Sequence, residues 1–235
     1  PLRQELTQYM KENDLHAGIY VENFRNGAYM GINEKEGFYP ASLAKLPLAI
    51  ATMQKIERGE WSLETQIPLV GTQGSDGFGR AYDLRARQLP VQQLLPKLLS
   101  ESDNTAANSL VGQMDWDDFQ LLLDYYGIDI RVGDPQSPNL MTSKSISILF
   151  SSLYFSTVLE PENSEYLLSL MEDTIFDIRP LAGIPKETTL IHKYALNYWE
   201  KYAVFHDCGI MYIEDSRIFY CVMLEGQTEG NAQQH

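Results

Sequence analysis

Apolar residues near both ends of the chain follow patterns that are typical of β-strands. Close to the start, HAGIYVENFRNGAYMGIN (16–33) contains two apolar runs on either side of Asn26-Gly27, a pair that favours a tight hairpin turn. After Pro185, the runs TTLIHKY, AVFHDCGIMYIE and RIFYCVMLEG predict three more strands. We therefore expect the two ends of the chain to contribute strands to a single antiparallel sheet.

Between these ends, the apolar residues recur with the period of an α-helix. Leu46, Ala49, Ile50 and Met53 are spaced i, i+3, i+4, i+7, which predicts an amphipathic helix from Ser42 to Gly59. The same kind of pattern predicts helices at residues 2–13, 91–99, 105–113, 116–125, 143–155 and 163–173.

Together these elements predict an α+β fold. An antiparallel sheet built from N- and C-terminal segments would be flanked by helices and interrupted by an all-helical insertion. We expect residues 1–60 and 174–235 to form the sheet subdomain and residues 61–173 to form the helical subdomain, within one structural unit. Catalytic groups would then lie in the crevice between the two parts.

Charge and composition narrow the possible partners. The formal net charge of −14 argues against a nucleic-acid groove, which needs a basic face. No apolar run reaches the roughly 18 residues of a membrane-spanning helix, so no transmembrane segment is expected in this chain. The four histidines show no metal-ligand spacing, and neither a metal nor an organic cofactor is indicated.

The two cysteines, Cys208 and Cys221, lie in neighbouring strand-like runs. If the hairpin between them turns at Asp215-Ser216, their side chains share a face but are diagonally offset. That geometry is poor for a disulfide, so we expect two free, buried thiols.

Three short segments could carry chemistry, and the first is ASLAKLP (41–47). A lysine one helical turn after a serine, as Lys45 is after Ser42, can reach its hydroxyl. Burial or a neighbouring cation could lower the pKa of that lysine until it serves as a base. The alternative is an ordinary helix N-cap followed by a surface lysine.

The second segment is Ser102-Asp103-Asn104, and the third is the strand-like LIHKYALN (190–197) with Lys193. The triplet could be a helix-capping segment, because all three residue types are preferred N-caps. A lone strand lysine is usually solvent-facing. Lys193 could instead attract an anionic substrate group and help to depress the pKa of Lys45.

In this order, the Ser-x-x-Lys, Ser-Asp-Asn and lysine-led strand segments resemble the motif set of class A β-lactamases and penicillin-binding proteins. The flanks YPASLAKLPLA, SDNTAAN, LAGIPKETTLIHK and HDCGIMY are also similar to the corresponding family segments, and the resemblance runs from about residue 4 to residue 226. It implies that Ser42 is the acylated nucleophile and Lys45 its proton acceptor or relay. Ser102 would pass the proton to the leaving nitrogen.

The resemblance also implies how a substrate is held. Asn104 would bind the substrate's amide side chain, and Lys193 would attract its carboxylate. The oxyanion hole would consist of the backbone N–H groups of Ser42 and Leu196. His206-Asp207 matches a family strand segment whose residues are structural.

Two departures from the family pattern bear on function. The stretch that should hold a deacylating glutamate is short and contains none; Asp129 and Asp134 are its carboxylates, and both are more typical of ordinary turns. In the strand triplet, Tyr194 and Ala195 replace the family's Thr/Ser and Gly. These changes indicate a pocket shaped for something other than the usual penicillins and slow release of the acyl group.

The sequence thus leaves three functions open. The first is a serine hydrolase acting on a β-lactam, a D-Ala-D-Ala-like cell-wall peptide or a small ester, with weak β-lactamase turnover. The second is a sensor or scavenger that is acylated but not freed, and the third is a scaffold without the reaction. By resemblance we expect an exported, periplasmic or cell-envelope protein; the sequence does not indicate its oligomeric state.

Overall fold

The computed structural model describes residues 1–70, 79, 81, 86–199 and 202–227. Within these residues, one sheet has five strands: β1 (His16–Asn23), β2 (Tyr29–Ile32), β5 (Leu190–Trp199), β6 (Tyr202–Ile213) and β7 (Ser216–Gln227). Their order across the sheet is β2-β1-β7-β6-β5, and every neighbouring pair is antiparallel. The predicted α+β fold, an antiparallel sheet flanked by helices, is confirmed.

The helices account for most of the chain between the two groups of strands. They are α1 (Leu2–Glu12), α2 (Lys45–Glu57), α3 (Val91–Leu99), α4 (Asn104–Val111), α5 (Trp116–Tyr125), α6 (Ser143–Tyr154), α7 (Pro161–Glu172) and α8 (Arg179–Ala182). A two-stranded ribbon that the sequence did not predict, β3 (Gln66–Pro68) with β4 (Gln88–Pro90), precedes α3. The subdomain boundaries at residues 60 and 173 stay a prediction.

Two apolar clusters hold the layers together. The larger one contains residues of all six helices from α2 to α7 and of the sheet face that contacts α6. The smaller one lies under α1 and consists of Met10, Ala17, Ile19, Ile32 and Leu224. None of the helices in the described ranges is long and apolar enough to cross a membrane.

Local sequence signals explain where several helices begin. Thr142 and Ser145 form a reciprocal capping box at the start of α6. The Asp103 carboxylate accepts a hydrogen bond from the Ala106 N–H at 2.7 Å and caps α4. Capping fixes the start of α4 and thereby the positions of the residues on either side of Asp103.

The predicted free thiols are wrong, because Cys208 and Cys221 form a disulfide. The hairpin pairs Ile213 with Ser216, so that its turn is Glu214-Asp215, one residue earlier than predicted. This register places the two cysteines directly opposite each other on β6 and β7. Both are fully buried, as expected.

Candidate active site

Ser42 lies in a short 3₁₀ turn, Ala41–Ala44, just before α2. The sequence placed Ser42 at the start of the α-helix, but the helix proper begins at Lys45. Ala41 has a φ of 45°, a backbone conformation that non-glycine residues seldom adopt and that is found at functional sites. The turn packs against β5, and the Ser42 side chain is half-buried at that contact.

The side chain of Lys45 joins the first two predicted segments. Its Nζ lies 3.2 Å from Ser42 Oγ, 3.2 Å from Ser102 Oγ, 2.5 Å from Ser102 O and 2.7 Å from Asn104 Oδ1. Lys45 is 7% exposed. One amine therefore contacts both candidate hydroxyls and the candidate substrate-binding amide.

Burial lowers the pKa of this amine, which makes it better able to act as a base. Desolvation lowers the pKa of Lys45 to about 8, and the nearby Asp103 carboxylate opposes that shift. Near neutral pH an appreciable fraction of Lys45 is then uncharged and able to accept a proton. The surface-lysine alternative is wrong for this residue.

Within the second segment, Ser102 contacts Lys45 and Asp103 caps α4. Ser102 is fully buried with a φ of 56°, a strained conformation that turns both its hydroxyl and its carbonyl toward Lys45. Asp103 performs the capping role and also accepts from the Ala81 N–H at 2.8 Å. The capping interpretation is confirmed for Asp103. The catalytic and substrate-binding roles of Ser102 and Asn104 stay predictions.

Lys193 lies on β5 and is 1% exposed, not solvent-facing. Its Nζ donates to Tyr194 O at 3.3 Å and is 6.0 Å from the centre of the Phe176 ring. Burial, followed by the positive charge of Lys45, lowers the pKa of Lys193 well below its usual value, and Asp207 opposes this. The two amines are thus electrostatically coupled, and burial is the main cause of the lowered pKa at both Lys45 and Lys193.

The outer edge of β5 faces the turn that carries Ser42. β5 is the edge strand of the sheet, and the Tyr212 N–H donates to Thr189 O across from β6 at 3.0 Å. Backbone groups alternate along an antiparallel ladder, so every second residue from Thr189 bonds to β6. The residues between them, including Tyr194 and Leu196, point their N–H and C=O groups away from β6.

Tyr194 and Ala195 occupy the remodelled part of the strand. The Tyr194 ring stacks on Phe176 at 5.1 Å between ring centres and meets Phe205 edge-on at 5.3 Å. Ala195 is fully buried, opposite His206 on β6. Sequence reasoning missed Phe176: its apolar segment, TIFDI, follows α7 but carries no motif that points to β5.

A buried polar network lies on strands β5, β6 and β7. His192 Nδ1 lies 2.7 Å from Asp207 Oδ2, and the Tyr220 hydroxyl donates to the other carboxylate oxygen. His206 Nε2 donates to Tyr39 O at 2.8 Å, while its Nδ1 accepts from the Leu224 N–H. His206 thereby fixes the backbone three residues before Ser42.

The two aspartates of the short loop occupy different places. Asp129 is exposed, 4.0 Å from the Arg131 guanidinium. Asp134 is also exposed, and its carboxylate accepts from the Gln136 N–H at 2.8 Å, as in an ordinary turn. Asp134, but not Asp129, lines a cavity of about 640 Å³ that begins at Lys45 and Asn104.

The chain is similar in sequence to known proteins. The chain is 33% identical over 113 residues to the β-lactamase regulatory protein BlaB of Streptomyces cacaoi, a match that covers 46% of this chain and 36% of BlaB. It is 22% identical over 213 residues to the β-lactamase VEB-1 of Pseudomonas aeruginosa, covering 82% of this chain and 70% of that enzyme.

Among solved structures, PBP-A has a TM-score of 0.85 at 19% identity, covering 99% of this chain and 93% of PBP-A. The same values hold for a PBP-A variant solved as an acyl-enzyme complex with penicillin G. At this identity the likeness establishes the fold. The family model described as "Beta-lactamase enzyme family" matches residues 1–235, and the chain therefore belongs to that family of serine hydrolases.

Proposed function

We propose that the protein is an acyl-serine hydrolase or acyltransferase whose nucleophile is Ser42. The observation that carries this proposal is the position of Lys45 Nζ, 3.2 Å from Ser42 Oγ and 3.2 Å from Ser102 Oγ. Both distances are within reach of proton transfer, and burial keeps the pKa of Lys45 near 8. The substrate would be a β-lactam, a D-Ala-D-Ala-like peptide or a small ester.

In the acylation step, Ser42 Oγ attacks the substrate carbonyl and uncharged Lys45 accepts its proton. The oxyanion is stabilised by the backbone N–H groups of Ser42 and Leu196, the latter on the open edge of β5. The C–N or C–O bond then breaks, and the leaving group takes a proton through Ser102. Asn104 holds the amide on the acyl side of the substrate, and Lys193 faces its carboxylate.

The second step, hydrolysis of the acyl-serine, is proposed to be slow for β-lactams. It needs a water molecule held beside a base. The sequence GIDIRVGDPQSPNLMTSKS (127–145) contains no glutamate, and the Asp134 carboxylate is engaged by the backbone of its own turn. Tyr194, stacked on Phe176 and edge-on to Phe205, further reduces the match to a penicillin carboxylate.

A long-lived acyl adduct is the second candidate function. The similarity to the β-lactamase regulatory protein BlaB favours it, and the match covers 36% of that protein. A sensor or scavenger would use the same first step and stop there. The two functions therefore share Ser42 and differ in the fate of the adduct.

One experiment separates these possibilities. The protein is incubated with a reporter penicillin and a chromogenic ester while its intact mass and product release are followed. Turnover that disappears in Ser42→Ala supports the hydrolase, and a stable adduct on Ser42 supports the sensor. No signal with either acyl donor would leave only the scaffold.

The location of the protein is also a proposal. We infer export to an oxidising compartment, because disulfides such as Cys208–Cys221 persist there and are rare in the cytosol. Thiol counting on protein isolated from its native compartment would test this: no free thiol is expected. Two titratable thiols in the unfolded protein would contradict it.

A further inference from the structure

We propose that the cavity beside Lys45 binds a bulky apolar acyl group of the substrate. This inference rests on the function proposed above and specifies the substrate class: amides or esters whose acyl side ends in a long aliphatic or arylalkyl group. The cavity measures about 640 Å³, within the range of pockets that bury small-molecule ligands.

The walls of this cavity are mainly apolar. They come from α2, α4, α5 and the loop that follows α5, and include Leu48, Val111, Phe119, Leu123, Ile130 and Val132. Trp116 forms part of the rim and is 54% exposed. An exposed tryptophan above an apolar floor gains by covering an apolar ligand, because the ligand removes both surfaces from water.

The cavity reaches the reaction site. Lys45 and Asn104 are among its lining residues, together with Ala41, Ala44 and Ala107. The small side chains of these alanines leave room beside the reacting groups. A substrate amide held by Asn104 would therefore direct its acyl substituent into the cavity.

The charges at the rim favour an uncharged occupant. Arg131 is paired with Asp124 at 2.7 Å and lies 4.0 Å from Asp129, so its positive charge is largely compensated. The Asp134 carboxylate at the rim would repel an anion. An apolar chain needs no uncompensated positive charge and is not repelled by Asp134.

The loop after α5 forms one side of the cavity. Gly133 has a φ of 77°, and a Cβ there would lie 2.1 Å from the Trp116 ring, so the loop packs closely against that ring. Residues 130–135 of this glutamate-free loop line the cavity together with Trp116.

The test uses S-phenyl thioesters of N-acylglycines whose acyl chain lengthens from acetyl to octanoyl. Ser42 would attack the glycyl carbonyl, the C–S bond would break and thiophenol would leave with a proton. The second-order acylation rate should rise by up to about fourfold for each added methylene, as expected for its burial, and by at least about 100-fold over the series. A rise of less than about threefold would overturn the inference.

Two matched variants locate the effect. Val111→Trp fills the cavity and should reduce the octanoyl-to-acetyl rate ratio by at least about tenfold. Leu121→Trp makes a comparable change on the exposed side of α5 and should leave that ratio unchanged. An equal loss in both variants would place the acyl chain elsewhere.

A binding measurement keeps the inference separate from the proposed reaction. N-octanoylglycine should bind to Ser42→Ala and change its tryptophan fluorescence, whereas Ser42→Ala/Trp116→Phe should lose that change; N-acetylglycine should bind far more weakly. If N-octanoylglycine binds but no thioester acylates Ser42, the proposed function fails and the apolar site stands. If acylation is independent of chain length, the function stands and the apolar site fails.

Discussion

The candidate site has a helical wall, formed by Ser42, Lys45, Ser102 and Asn104, and a strand wall, formed by residues 193–196 of β5. The two walls differ in the residues that surround their lysines. On the helical wall, Lys45 contacts three oxygen-bearing residues that all come from motif positions. On the strand wall, the Lys193 amine lies 6.0 Å from the centre of the Phe176 ring, and Tyr194 stacks on the same ring. Under the proposed function, the helical wall holds the groups that form an acyl-serine, whereas on the strand wall Tyr194 and Ala195 stand where the family pattern has a short hydroxyl and a glycine. We therefore expect family-like acylation with altered recognition of a substrate carboxylate.

The strongest test of this contrast removes the amine of the helical wall. Lys45→Ala should lower the acylation rate by about 10³-fold or more, because Ser42 loses its proton acceptor. Circular dichroism should show an intact fold. Intact-mass kinetics with a thioester or penicillin provide the measurement.

Lys55→Ala is the matched control. Lys55 is another buried lysine on α2, but it pairs with Glu60 at 2.6 Å and lies over the Trp61 ring. Its removal should reduce stability and leave acylation unchanged. If both variants acylate at the wild-type rate, Lys45 has no part in the mechanism.

Sequence patterns predicted the elements of both walls better than the details that join them. The helix after Ser42 followed from the spacing of its apolar residues. Its 3₁₀ beginning did not, because that turn depends on contacts from distant residues, including the His206 bond that holds Tyr39. Motif spacing brought Ser42 and Lys45 together in the prediction, and only the fold shows that burial sets the pKa of Lys45.

Two further features depend on register and packing that no local pattern records. A shift of one residue in the β6–β7 turn decided whether Cys208 and Cys221 are offset or opposed. Likewise, Phe176 reaches Tyr194 through the path of the chain after α7, which has no periodic signal. Neither the exact register of a hairpin nor the path of a loop can be predicted from the pattern of apolar residues.

His206 connects the two walls and provides a test of their shared support. Burial lowers its pKa to about 4, so the folded protein keeps it neutral while the unfolded chain takes up a proton below about pH 6.5. Its contribution to stability is fully present above pH 6.5 and falls as the pH drops toward 4, by about 3 kcal/mol.

Urea unfolding of the wild type and of His206→Gln at pH 7 and pH 4 isolates this term from the titration of carboxylates. The glutamine amide can still donate toward Tyr39 O but does not titrate, so the variant should lose about 3 kcal/mol less than the wild type between the two pH values. Equal losses in the two proteins would contradict the assigned role of His206.

A pH profile examines the helical wall without mutation. Because uncharged Lys45 is the proposed base and its pKa is about 8, the acylation rate should rise about tenfold between pH 7 and pH 9 and then level off. The thioester series is suitable once its spontaneous hydrolysis is subtracted. A rate that does not change between these pH values would show that Lys45 reacts in a single protonation state.

The smallest expected effect concerns the strand wall. Tyr194→Thr combined with Ala195→Gly restores a short hydroxyl and a glycine on β5, and should raise acylation by a reporter penicillin about fivefold. Loss of the contacts with Phe176 and Phe205 should cost about 1 kcal/mol or more of stability. Tyr198→Thr, an exposed residue further along the same strand, is the control and should change neither quantity appreciably. If the double variant gains nothing with penicillin while keeping its thioester rate, the strand wall is not what limits β-lactam recognition, and the short loop on the other side of Lys45 becomes the element to rebuild.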